Sequence, residues 1–167
     1  MISKIKEAIK KIEETEEFKK YKEENPDLFL ADTFIILNEN EGWQIDYYSE
    51  DKDKITSFTQ KNESVQIKES ELFRKEKTEM IPLNLEKIKF SLEQALKVVE
   101  TQTKEKPSKL IVVLQVLNDK EVWNITYLTT SFKTINFKIN AINGEIISKD
   151  ESSIVSNLRV GDFIKKK

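Results

Sequence analysis

The side chains of this chain that could do chemistry are carboxylates, lysines, hydroxyls and aromatic rings, because the chain contains no histidine and no cysteine. Without those two residue types there is no usual catalytic triad, no thiol nucleophile, no disulfide and no ordinary transition-metal site. Only three glycines in 167 residues leave no room for a phosphate-binding loop or a dinucleotide fingerprint. We therefore expect a protein that is not an enzyme and that uses no cofactor and no metal.

Carboxylates are the remaining candidates for catalysis or cation binding. Asp51 and Asp53 form a D-x-D pattern, but no glycine follows at the turn position of a calcium loop, and no distal glutamate completes one. Two acids could also work as the acid and base of a hydrolase. No motif fixes two of them across a cleft, so this alternative needs a deep cleft that holds two convergent acids.

Aromatic residues form the second candidate surface. Four of them share one face of their strands with Ile45 and Ile125, which is typical of a core, although such rings can also stack on a ligand; they are Trp43, Tyr47, Trp123 and Tyr127. Tyr48 and Leu128 point to the opposite face, and Phe58 is expected to share it. An apolar second face must be covered, by the other half of the chain packed sheet against sheet, by the segment 70–90, or by a partner protein.

These positions are related by an internal repeat with an ungapped offset of 80 residues. The identical pairs include both tryptophans, Trp43/Trp123, together with Ile45/Ile125 and Tyr47/Tyr127. We interpret the chain as two copies of one unit, residues 1–75 and 82–150, followed by a C-terminal tail, 151–167.

The sequence of each unit predicts a helix followed by strands. Isoleucines at helical spacing begin the first unit, and the segment 13–17 (EETEE) interrupts that stripe. The helix is therefore expected to bend there or to pack on two sides. Ser91 and Gln94 match a capping box at the start of the second helix. Alternating apolar residues then predict strands, and Asn143-Gly144 predicts a tight hairpin. In the first unit the third strand is weaker, or is shifted by one residue, which would exchange its faces.

The fold class is therefore α+β, with two tandem units that each pack one helix on an antiparallel meander of three or four strands. The second unit resembles the PepSY domain. The segments that carry this resemblance are 91–96 (SLEQAL), 123–127 (WNITY) and 139–146 (INAINGEI). The resemblance implies a non-catalytic module, of a type found in propeptides of thermolysin-type metalloproteases and in cell-surface proteins, where inhibition or partner binding is proposed. Segments 18–27, 43–48 and 53–58 also resemble small uncharacterised archaeal proteins.

Charge and hydropathy restrict the classes of partner that we expect for this chain. The overall formal charge of −2 and the lack of a basic stripe with interleaved aromatic rings argue against nucleic acid. Residues 1–80 carry a net charge of −6 and residues 81–167 one of +4, which favours contact between the halves or between chains. No segment has the length of a membrane span or a secretory signal, so we expect a cytoplasmic protein with no membrane contact.

The leading functional hypothesis is a non-enzymatic module that binds a protein or peptide. Its expected contact surface is the face of Tyr48 and Leu128, with Phe58, or an exposed strand edge that a peptide could extend. A structural homodimer subunit and, by the PepSY resemblance, a protease-inhibitor-like regulator are the alternatives.

Overall fold

The computed structural model describes residues 2–39, 42–71 and 79–153. It contains three α-helices, one 3-10 helix and eight strands. In chain order they are α1 (Ile2–Glu13), α2 (Glu16–Glu24), β1 (Phe29–Ile36), β2 (Gln44–Ser49), β3 (Lys54–Lys61), β4 (Ser64–Glu71), a 3-10 turn (Leu85–Lys87), α3 (Leu92–Gln102), β5 (Pro107–Leu117), β6 (Lys120–Thr129), β7 (Lys133–Asn140) and β8 (Ile146–Ser153). The strand β8 thus continues three residues past the predicted boundary at residue 150.

The eight strands form one antiparallel sheet in the order β4-β3-β2-β1-β5-β6-β7-β8. Each half of the chain is a four-stranded meander that follows its helix or helices, and the α+β prediction is confirmed. The two meanders meet where β1 pairs antiparallel with β5, from Asp32 opposite Gln115 to Ile36 opposite Ile111. The halves therefore lie side by side in one sheet. Of the three alternatives for the cover of the Tyr48 face, the one in which the halves pack sheet against sheet is wrong.

Capping hydrogen bonds set where α2 and α3 begin. The interruption at 13–17 divides the first helix in two, because the Thr15 hydroxyl accepts a bond from the Phe18 amide (3.2 Å) and so caps α2. The predicted capping box is confirmed, with Ser91 and Gln94 joined by two reciprocal bonds of 3.1 and 2.8 Å. Among the helices of the described ranges, none is long and apolar enough to cross a membrane.

The helices share one core cluster with strands of both halves, on what we term the helix face of the sheet. Ile5, Ile9 and Ile12 supply the stripe of α1, as their helical spacing predicts. The four aromatic residues of the strand stripe are buried in the same cluster, so their interpretation as core is confirmed; they are Trp43, Tyr47, Trp123 and Tyr127. Two of these residues have polar partners at the margin of the cluster: Trp123 donates to the Phe90 carbonyl (2.8 Å), and Tyr47 donates to Glu13 (2.9 Å).

Phe58 also lies on the helix face, and the prediction that it shares the face of Tyr48 is wrong. It is opposite Ile45, just as Phe137 is opposite Ile125, so it corresponds to Phe137 at an offset of 79. The constant offset of 80 thus fails in β3, and the one-residue shift that exchanges its faces is confirmed. Phe58 is fully buried, with its ring centroid 5.2 Å from that of Phe18 and 5.5 Å from that of Tyr47.

The burial of Phe58 generates a stability prediction. We expect Phe58→Ala to lower the free energy of unfolding by about 3–5 kcal/mol, because it empties the centre of an aromatic cluster. Phe132, which is 64% exposed, is the matched control, and Phe132→Ala should change stability by no more than about 0.5 kcal/mol. Urea denaturation of both variants measures the difference. Equal effects would contradict the placement of Phe58.

Candidate functional site: a groove on the open face

The open face, as we term the side of the sheet opposite the helices, differs between the two halves. In the second half its polar side chains bond to one another: the Asn136 amide donates to Asn124 (2.6 Å) and to the Thr126 hydroxyl (2.8 Å), and Lys138 donates to Asn136 (3.0 Å). Cross-strand pairing places Ser57 and Thr59 where the second half has Asn136 and Lys138. These shorter side chains leave the surface of the first half hollow.

The resulting groove has a volume of about 490 Å³ and lies over β1 to β4. Polar side chains and apolar ones both contribute to its walls, and Met80 contributes from the segment after β4. The lining residues are Asp32, Phe34, Ile36, Gly42, Gln44, Asp46, Ile55, Ser57, Thr59, Lys61, Gln66, Lys68, Ser70 and Met80. The distance along β3 from Lys61 to Ile55 is about 20 Å at the usual rise per strand residue.

Two carboxyl groups lie together on the floor of this groove. Asp32 and Asp46 are directly opposite each other in the β1–β2 pair, and the row continues through Ser57 to Lys68. Adjacent positions in such a row have Cβ atoms about 4.5–5.5 Å apart. Asp46 is 8% exposed, and the Gln44 amide donates to both of its oxygens, at 3.0 and 3.3 Å.

Burial is the main cause of the altered pKa of Asp32. It raises the pKa of Asp32 from 3.8 to about 9, and the charge of Asp46 and the hydrogen bond between the two groups act in the same direction. Over the described ranges 2–39, 42–71 and 79–153, no lysine forms an ion pair with either carboxyl. Asp32 therefore keeps its proton at neutral pH, beside a second carboxyl and without a lysine partner.

The sequence did not single out Asp32 or Asp46, since their convergence depends on a cross-strand register that no local motif encodes. Asp32 and Asp46 meet as a hydrogen-bonded pair on the floor of an open groove, whereas the carboxylate-hydrolase alternative needs two acids that face each other across a deep cleft. Asp51 and Asp53 have structural contacts instead: the Asp51 amide donates to Asp27 (2.9 Å), and Asp53 accepts a bond from the Tyr48 hydroxyl. In the described part of the chain no three acidic residues group as metal ligands would.

The three residues predicted to contact a partner lie apart. Tyr48 is buried on the open face in a small cluster with Ala31 and Ile55, against which Phe29 and Met80 pack. Met80 thus supplies part of its cover from the segment 70–90, which was one of the expected alternatives. Phe58 is buried on the helix face. Leu128 is half-buried on the open face of the second half, opposite Lys109. The groove adjoins the cluster of Tyr48 but includes neither Phe58 nor Leu128.

Comparison with known proteins supports the resemblance of the second half of the chain to the PepSY domain. Residues 89–150, less than half of the chain, match the PepSY family, which is described as "Peptidase propeptide and YPEB domain". This segment contains α3 and most of the second meander. The resemblance to archaeal proteins stays a prediction.

Among solved structures, the chain is similar to a "putative lipoprotein" from Clostridium difficile 630, with a TM-score of 0.56 and 12% sequence identity. The match covers 81% of this chain and 90% of that one. At this identity the likeness shows the fold alone, which is PepSY-like. No curated protein matches the sequence.

The carboxyl pair generates a prediction about stability and pH. Because the folded state holds a proton on Asp32 that the unfolded state loses near pH 3.8, the free energy of unfolding should fall as the pH rises toward about 9. The slope can approach about 1.4 kcal/mol per pH unit for one proton. Asp32→Asn should remove this decline, and it should be more stable than the wild type at neutral pH.

Thermal or urea unfolding across this pH range measures the effect. Asp150→Asn, which removes an exposed carboxyl on β8, is the matched control and should keep the decline of the wild type. Parallel profiles for Asp32→Asn and the wild type would show that Asp32 does not retain its proton in the folded state.

Proposed function

We propose that this chain is a non-enzymatic interaction module that binds an extended segment of a partner protein in the groove on the open face. The observation that carries the proposal is the difference between the two halves: the second half fills its open face with its own side chains, and the first half leaves a groove there. The length of about 20 Å along the strands suits about six residues of extended chain.

The chemistry of the groove also suits a peptide. Gln44, Ser57, Thr59 and Gln66 offer neutral donors and acceptors for a peptide backbone, and Phe34, Ile36, Ile55 and Met80 offer apolar contact for side chains. The absence of histidine and cysteine from the chain supports a binding role over a catalytic one. A cytoplasmic location remains part of this proposal.

Peptide selection tests the proposal directly. The groove-filled variant Ser57→Asn/Thr59→Lys introduces the residues that the second half carries at the corresponding positions, so it should fold normally. We expect the wild type to enrich peptides from a displayed random library, and we expect these peptides to bind the groove-filled variant at least about tenfold more weakly, or about 1.4 kcal/mol.

The matched control is Thr134→Lys, which adds the same charge to the open face of the second half and should leave binding unchanged. Unchanged affinity in the groove-filled variant would place the binding surface elsewhere. A selection that enriches no peptide would contradict the proposal itself.

Protease inhibition is a second candidate, and the match of residues 89–150 to a peptidase propeptide family favours it. Hydrolysis of a chromogenic peptide by thermolysin, with and without a molar excess of the chain, tests it. Inhibition that persists in the groove-filled variant would assign the activity to the second half, and an unchanged rate would remove the candidate. A structural homodimer, the remaining alternative, requires a dimer in sedimentation equilibrium.

A further inference from the structure

The two halves differ most sharply in charge at the floor of the groove. Cross-strand pairing places Asp32 and Asp46 where the second half has Ile111 and Thr126. The second meander thus forms the same strand pair with two uncharged side chains. The carboxyl pair is therefore not a requirement of this sheet, and its presence needs another explanation.

A pair of acids in this position destabilises the fold. Partly desolvated carboxylates a strand apart repel each other, and a proton is retained in place of the second charge. The Gln44 amide, which donates to both oxygens of Asp46, is neutral, so it offsets only part of this penalty. A cation placed between the carboxyls would offset it by direct charge attraction.

The lysines that line the groove lie away from the carboxyl pair, so a cation from a ligand can bind there. Lys68 lies in the same row as Asp46 but two strands away, about 10 Å at the usual strand spacing. Lys61 lines the far end of the groove, and Glu79 and Asp119 line the adjoining hollow on the other side of Asp32. The position over the pair is therefore flanked by acids on one side and by neutral side chains on the other.

We infer that the partner segment carries a basic side chain, which it seats on the Asp32–Asp46 pair. This inference rests on the proposed function and specifies its ligand. A guanidinium group suits the site because its planar fork donates to two carboxylates at once.

A cation that binds both carboxylates displaces the proton that Asp32 retains in the free protein. The ligand's affinity therefore rises with pH while Asp32 is still protonated in the free protein, by up to about tenfold per pH unit. A neutral ligand in the same groove shows no such dependence. This difference separates a cation seat from a groove that binds by shape alone.

Small probes test the inference without a selected peptide. N-acetylarginine methylamide and its citrulline counterpart, which has nearly the same shape and no charge, are titrated into isotope-labelled protein and followed by NMR. We expect the arginine probe to shift the side-chain carboxyl resonances of Asp32 and Asp46 and to bind at least about tenfold more tightly than the citrulline probe.

Two variants and one control complete the experiment. Asp46→Asn and, should that variant not fold, Asp46→Thr should remove the preference for arginine, and Asp150→Asn should preserve it. Equal binding of the two probes, pH-independent binding, or shifts outside the groove would overturn the inference. The inference would also be overturned if the peptides that bind the wild type but not the groove-filled variant lacked a basic residue, although the proposed function would then stand.

Discussion

The backbone pairing of β1 with β5 is the interaction on which the rest of this structure depends. It joins two four-stranded meanders into one eight-stranded sheet, so that neither β1 nor β5 is left as an exposed edge. Because the sheet is continuous, the helices of both halves lie on one side and bury a single core. The opposite side is left to the side chains of the strands, and this is where the two halves diverge.

That divergence follows from a few side chains on an otherwise similar frame. In the second half, asparagine, threonine and lysine bond across the open face and close it. In the first half, serine and threonine at the corresponding positions leave a groove, and two aspartates lie on its floor. A carboxyl pair in which one member must keep its proton reduces stability at neutral pH, and such features concentrate where a protein binds or reacts. Function is thus proposed for the half that lies outside the family match.

Much of the frame was predictable from residues that act locally. The tryptophan stripe, the isoleucine stripe of α1 and the capping box of α3 each follow from spacing within one segment. The position of Phe58 was not predictable, because its face depends on the loop between β2 and β3. That loop is one residue longer than the loop between β6 and β7, so it shifts β3 by one residue relative to β7. The carboxyl pair was not predictable from the sequence either. Asp32 and Asp46 are separated by a loop, and only the strand register places them opposite each other.

Disulfide trapping of the β1–β5 pair tests the architecture most directly, because the chain has no cysteine of its own. In the structure Ile36 is directly opposite Ile111, at the separation that a cross-strand disulfide spans. We expect Ile36→Cys/Ile111→Cys to form an intramolecular disulfide under mild oxidation, detected by mass spectrometry of the folded protein, and Ile36→Cys/Leu128→Cys to form none. Failure of the first pair, or equal trapping of both, would show that the two meanders do not form one sheet.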